Sequence, residues 1–124
     1  SEYMENLNEH IEHTLLKQDA KLEDFIKLFN EAKEFKFLGV CINPAYVKLA
    51  KENLHGSGVK IVTVVGFPLG ANRSDVKAFE TSKAVEDGAD EIDMVISVSK
   101  LKDKDYDFII NDIKTVKINR LKLF

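Results

Sequence analysis

Cysteine occurs once in the 124 residues, at Cys41. No internal disulfide can form, and a reducing, cytoplasmic setting is the natural expectation for such a chain. Long apolar runs are missing as well. No stretch approaches the roughly 20 residues of a membrane span, so no membrane partner is expected. The opening SEYMEN lacks the basic-then-apolar order of a secretory signal. An excess of positive charge is absent too: 18 basic residues face 21 acidic ones, a formal net charge of -3. With no basic block standing out, nucleic acid is not an expected partner. Neither Gly-x-Gly-x-x-Gly nor a phosphate-loop motif occurs, which removes the two common nucleotide-binding loops.

What is present is a repeated alternation. Residues 11–16 read as a short strand rich in β-branched and apolar side chains. Leu22, Phe25, Ile26, Leu28, Phe29 and Ala32 then recur at helical spacing, with Asp19 as the nearest N-cap. FLGVCI at 37–42 is a continuous apolar run, as expected of a strand covered on both faces. Asn43-Pro44 is a capped helix start, Tyr46, Val47, Leu49, Ala50 and Leu54 supply the apolar stripe, and Gly56 terminates it. A valine-rich strand at 59–65 runs into GFPLG, a loop whose Gly66 and Gly70 suit either a phosphate cradle or a tight strand-to-helix turn. A third helix, capped by Ser74 and ended by Gly88, carries Val76, Phe79, Lys83, Ala84 and Val85. Ile92, Met94 and Ile96 alternate with Asp93 and Val95 in the next strand, and Tyr106, Ile109, Ile110, Ile113 and Val116 mark a fourth helix. LKLF at 121–124 reads as the opening of a fifth strand.

The order is strand–helix four times, each unit near the length of a βα module. That alternation predicts an α/β fold, one domain over 1–124, with a parallel sheet covered by helices. A closed (β/α)8 barrel takes about 250 residues, so the expected architecture is half of one. Two raw edges and an uncovered inner face would follow, and Val40, Val64 and Ile92 are expected there. Exposed edges and apolar patches invite association. A homodimer or higher homo-oligomer closing through the open half-barrel face is therefore predicted.

Asp93 is the leading candidate for chemistry, because a carboxylate on an otherwise apolar strand needs a partner, a shifted pKa or a task. The alternative is a strand-end aspartate that caps the following loop. Alternation turns Glu91 with Asp93 and sends Asp90 the other way. Cys41 fits a pocket wall or a small core residue better than a nucleophile. His13 fits a locally paired strand histidine. His10 and His55 have no second ligand at metal spacing, so no metal is expected.

Four stretches together resemble the deoxyribose-phosphate aldolases: IEHTLLK at 11–17, VCINPAYVKLA at 40–50, VVGFPLGA at 64–71 and EDGADEIDMVIS at 86–97. They stand in that family's order and spacing. The resemblance implies a (β/α)8 barrel that cleaves 2-deoxyribose 5-phosphate to glyceraldehyde 3-phosphate and acetaldehyde in nucleoside catabolism, without metal or cofactor. It implies that Asp93 joins proton transfer around a lysine Schiff base, and that Thr14 and Cys41 line the substrate pocket. Glu12 stands where the family usually has Asp. The family's Schiff-base lysine lies on the sixth strand and its second essential lysine on the seventh, beyond the segments matched here. Lys60 falls at the entry end of its strand, and Lys122 has no visible partner to lower its pKa, so neither is a ready substitute. Two functions follow: the amino-terminal half of such an aldolase, inactive by itself, or a non-catalytic half-barrel module that self-associates.

Overall fold

A computed structural model describes residues 6–121. Four short strands form one sheet: β1 (Glu12–Leu15), β2 (Gly39–Ile42), β3 (Lys60–Val65) and β4 (Glu91–Met94). They lie side by side in chain order, and every pairing is parallel. Helices α1 (Leu22–Glu34), α2 (Val47–Leu54), α3 (Ser74–Asp87), α4 (Val98–Lys102) and α5 (Tyr106–Leu121) connect or follow them. This is the expected βα succession, half of a (β/α)8 barrel, with α4 as a short helix that periodicity did not reveal.

The ends of the elements show which local signals operated. Lys21, not Asp19, occupies the N-cap of α1, and Asp24 Oδ2 accepts the Lys21 N–H at 2.8 Å. That bond satisfies a donor that the first helical turn cannot. Proline at 44 opens a single 3-10 turn, Pro44–Tyr46, and α2 begins only at Val47. Ser74 is the first residue of α3, while Arg73 holds the cap position. Gly88 ends α3 in the left-handed conformation, as read from the sequence. Leu121 closes α5 instead of opening a strand, and the rest of that expected strand lies outside the described residues.

The main core fills the space between sheet and helices. Phe25, Leu28, Phe29 and Ala32 of α1, with Val47, Ala50 and Leu54 of α2, pack on Val40, Ile42 and Ile61. The Phe25 ring stacks on Tyr46 with centroids 3.8 Å apart. Each large side chain buried in this way contributes roughly 1.5–3 kcal/mol. Two expectations about faces are corrected here. Val40 and Ile92 belong to this helix-facing side, not to the inner face of the half barrel. Val64 is on the inner face, yet only 5% exposed, in a second apolar cluster with Cys41 and Val62 against which Leu16 packs.

The apolar stripe read for α3 is also corrected. Ala84 is buried as read, but Val76 and Phe79 are exposed, Phe79 to 63%, and the helix buries Lys77, Ala78 and Thr81 in their place. On α5 the buried positions are Ile109, Asp112 and Val116, while Tyr106, Ile110 and Ile113 face outward. Ile109 and Val116 are buried as read, and the polar pair Lys77–Asp112 joins α3 to α5 where periodicity sought apolar side chains. Among the described residues, no helix is long and apolar enough to cross a membrane.

Candidate functional site

Side chains alternate across a strand, and parallel partners in register share a face. Thr14 pairs with Cys41, Cys41 with Val62, Val62 with Glu91, and Val64 with Asp93. The face away from the main core therefore carries Glu12 and Thr14 on β1, Cys41 on β2, Val62 and Val64 on β3, and Glu91 and Asp93 on β4. Thr14, Cys41, Val64 and Asp93 are each the next-to-last residue of their strand. They occupy the last inward position before each loop. Active sites of (β/α)8 enzymes sit at this carboxyl-terminal end of the strands.

Asp93, Thr14 and Glu12 are exposed on this face, while Cys41, Val62 and Val64 form an apolar floor between them. The Asp93 carboxylate makes no hydrogen bond to another described residue and does not cap the following loop. Its influence is electrostatic. Burial, then the negative charges of Asp93 and Glu12, push the Cys41 thiol up to about 11. Burial, then Asp93 and Glu91, raise the Glu12 carboxyl above its ordinary value. Carboxylates thus gather over an apolar floor: Asp93 and Glu91 oppose the ionisation of Glu12, and Asp93 and Glu12 that of Cys41.

Cys41 is consequently a poor nucleophile, since the thiolate is the reactive form. Alkylation of Cys41 by iodoacetamide is expected to accelerate with pH without levelling until near pH 11. Asp93→Asn should speed the reaction at pH 9 by removing one opposing charge. A plateau beginning near the ordinary thiol value of about 8.5 would refute this reading.

Lys60 stands at the opposite end of the sheet, where its Nζ lies 3.8 Å from Glu91 Oε1. His13 projects to the helix side, its Nε2 3.8 Å from Glu31 Oε1 and its ring edge-on to Phe37. Asp90 turns away from Asp93, and its Oδ2 accepts the Ile61 N–H at 2.8 Å. No three His, Cys, Asp or Glu side chains converge as metal ligands among the described residues.

The loop at 66–70 also meets the rim, and it is a turn, not an open cradle. The Gly66 N–H donates to Glu80 Oε1 at 2.8 Å, and the Gly70 N–H donates to the Gly66 carbonyl at 2.7 Å. Both amides are already occupied within the chain. A separate cleft of about 400 Å³ opens between β1 and α1, lined by His13, Thr14, Lys17, Asp24 and Glu31. Thr14 touches both places; Cys41 and Asp93 do not line the cleft.

One buried feature escaped the sequence reading altogether. Lys77 of α3 and Asp112 of α5 are fully buried and paired, Nζ to Oδ2, at 2.7 Å. Nothing in residue spacing announces it, because the partners lie 35 positions apart.

Comparison with known proteins now gives the geometry a context. Residues 7–119 match the family model described as DeoC/LacD family aldolase. The deoxyribose-phosphate aldolase of Mycoplasma mycoides subsp. mycoides SC is 54% identical over 111 residues, covering 90% of this chain and 57% of the relative. That of Streptococcus gordonii is 56% identical over 110 residues, covering 89% of this chain and 50% of the relative. The chain spans about half the length of the curated relatives it matches. Among solved structures, the tetrameric deoxyribose phosphate aldolase from Aeropyrum pernix superposes with a TM-score of 0.80 at 32% identity, over 94% of this chain and 50% of that one. QR15, an aldolase, gives a TM-score of 0.87 at 33% identity, over 92% of this chain and 51% of that one.

Proposed function

The chain belongs to the DeoC/LacD family of aldolases, and from that premise we propose that it is the amino-terminal half of a deoxyribose-phosphate aldolase. The whole enzyme would cleave 2-deoxyribose 5-phosphate to glyceraldehyde 3-phosphate and acetaldehyde through a lysine Schiff base, in the cytoplasm, without metal or cofactor. The observation that carries the reading is the shared inward face at the strand ends, where Thr14, Cys41 and Asp93 stand together. In this scheme Asp93 moves protons at the carbinolamine and imine stages, as a solvent-accessible carboxylate beside an apolar floor is suited to do. Thr14 and Cys41 bound the substrate's carbon chain, and Glu12 replaces a shorter acid with a longer one. This scheme assigns the amine to a segment outside these 124 residues; the places of Lys60 at the opposite end of the sheet and of Lys77 in an ion pair support that assignment, and Lys122 lies outside the described residues.

Borohydride reduction with deoxyribose 5-phosphate, followed by intact mass measurement, tests the proposal. The 124-residue chain is expected to gain no adduct. The same chain joined to the carboxy-terminal half of the M. mycoides relative is expected to gain one and to turn over substrate. Asp93→Asn in that chimera should lower kcat by roughly 100-fold or more. A folded chimera with neither adduct nor turnover would sink the aldolase reading.

A second reading, a non-catalytic half-barrel that associates with itself, is favoured by the edges of the sheet. The order β1-β2-β3-β4 leaves the outer edges of β1 and β4 unpaired among the described residues. Tyr106, Ile110 and Ile113 add an exposed apolar stripe on α5. Such edges and patches are association surfaces. Sedimentation at micromolar concentration is expected to show a dimer or larger species; a single monomeric boundary would exclude this reading.

A further inference from the structure

We infer that Lys77 and Asp112 are positioning residues, which hold the 66–70 loop and through it the exit of the Asp93 strand at the rim of the proposed site. The premise is the unusual character of the pair. Both side chains are fully buried, and Asp112 Oδ1 has no hydrogen-bond partner. Burying two charges with one oxygen unsatisfied is a poor way to gain stability, and apolar residues of similar volume often serve a fold as well. What the ion pair adds is geometry. A lysine whose ammonium is anchored has a stem of fixed course.

That stem is in contact with the loop. A Cβ built on Gly66 would lie 3.0 Å from Lys77 Cε and 3.4 Å from its Cδ and Cγ, so the methylene chain runs directly beneath the Gly66 backbone. Glu80, one helical turn after Lys77 on α3, takes the Gly66 N–H from the same side. The first glycine of the loop is thereby held to α3 by a side-chain stem and a charged hydrogen bond. At the other foot, Gly70 sits against the Ile96 carbonyl and Val95 Cγ1, immediately after β4. The Val95 N–H in turn donates to the Val65 carbonyl at 2.9 Å. The line of contacts runs from Asp112 to Lys77, to Gly66, across the loop to Gly70, and onto the segment that follows Asp93. Gly66 and Gly70 are buried, while the loop's tip projects, with Leu69 74% exposed. The feet are clamped and the apolar tip is presented at the carboxyl-terminal rim.

Calling this rim substrate-bearing rests on the proposed aldolase function; the clamping of the loop does not. The test therefore reads the loop in this chain, with no substrate present. Lys77→Met with Asp112→Leu replaces the pair by apolar side chains that keep the volume. The double variant is expected to keep its urea midpoint, while the Gly66, Gly70 and Ile96 amide resonances shift and their hydrogen exchange quickens by about tenfold or more. Should the double variant not fold, Asp112→Asn keeps the shape and an acceptor but removes the charge; it is expected to move the same three amides in the same direction. Unchanged shifts and exchange rates at these amides, in whichever of these variants folds, would overturn the inference and leave the pair a structural contact only. Either result leaves the borohydride test of the aldolase reading intact.

Discussion

Lys77→Met alone is expected to cost this fold about 3–5 kcal/mol, because it leaves the Asp112 carboxylate buried without its counter-charge. Asp112→Leu alone should cost a similar amount for the converse reason. Both side chains are fully buried, so no water is at hand to replace the missing partner. Whole domains are stable by only about 5–15 kcal/mol, so either single variant brings the chain near its unfolding threshold. The double replacement is expected to recover most or all of the loss, since it removes the desolvation of both ions together with their attraction. Urea unfolding of the four species gives the coupling from the difference between double and single effects. Additive losses, with the double variant as unstable as the two singles combined, would show that Lys77 and Asp112 act separately.

Gly70→Ala is expected to be nearly as damaging, for a reason that has nothing to do with charge. Gly70 has φ +67, and a Cβ there would overlap the Ile96 carbonyl oxygen and approach the Ile96 carbonyl carbon to 2.8 Å and Val95 Cγ1 to 2.9 Å. The left-handed conformation costs an alanine roughly 1–2 kcal/mol. Displacing a neighbouring backbone carbonyl adds about 1–3 kcal/mol more. Gly56 supplies the control: its φ is +76, yet nothing lies within 4 Å of its virtual Cβ. Gly56→Ala should therefore pay the conformational part alone, on the order of 1 kcal/mol. If urea midpoints for the two variants fall together, the close approach of the loop to the segment after β4 is not what makes Gly70 necessary. Because that segment begins two residues after Asp93, Gly70→Ala should also disturb the amides on either side of Asp93, which Gly56→Ala should leave alone.

The order of strands and helices was legible in the amino acids because it depends on local quantities. Apolar runs of four to six residues, amphipathic spacing in the first helix, and a glycine at 88 each act within a few positions of themselves. Phe25, Leu28, Phe29 and Ala32 fell where helical spacing put them. Asp93 was singled out as a charge among apolar neighbours, and its strand does send it away from the helices.

Other features needed the third dimension. GVCI is buried at every position, so β2 carries no polar alternation to say which side meets the helices. That is why Val40 could not be told from Cys41 in advance. The stagger that pairs Cys41 with Val62, yet makes Cys41 and Val64 the last inward residues of their strands, arises from strand pairing and not from any one segment. The raised Cys41 and Glu12 values follow from it, since they are set by carboxylates brought in from other strands. The face of α3 was misread for a related reason. A search for apolar periodicity selects Val76 and Phe79 and passes over a lysine, because a lysine is worth burying only when a distant aspartate meets it.

The sequence by itself determined a parallel succession of βα units, with a carboxylate at the end of the fourth strand, because local spacing decides which backbone conformation each segment prefers. The tertiary structure decided which side of each strand became the site, and it joined Lys77 to Asp112 at one end of its side chain and to the 66–70 loop along its stem. Those outcomes depend on distances between residues remote in the chain, and only packing of the whole sets them.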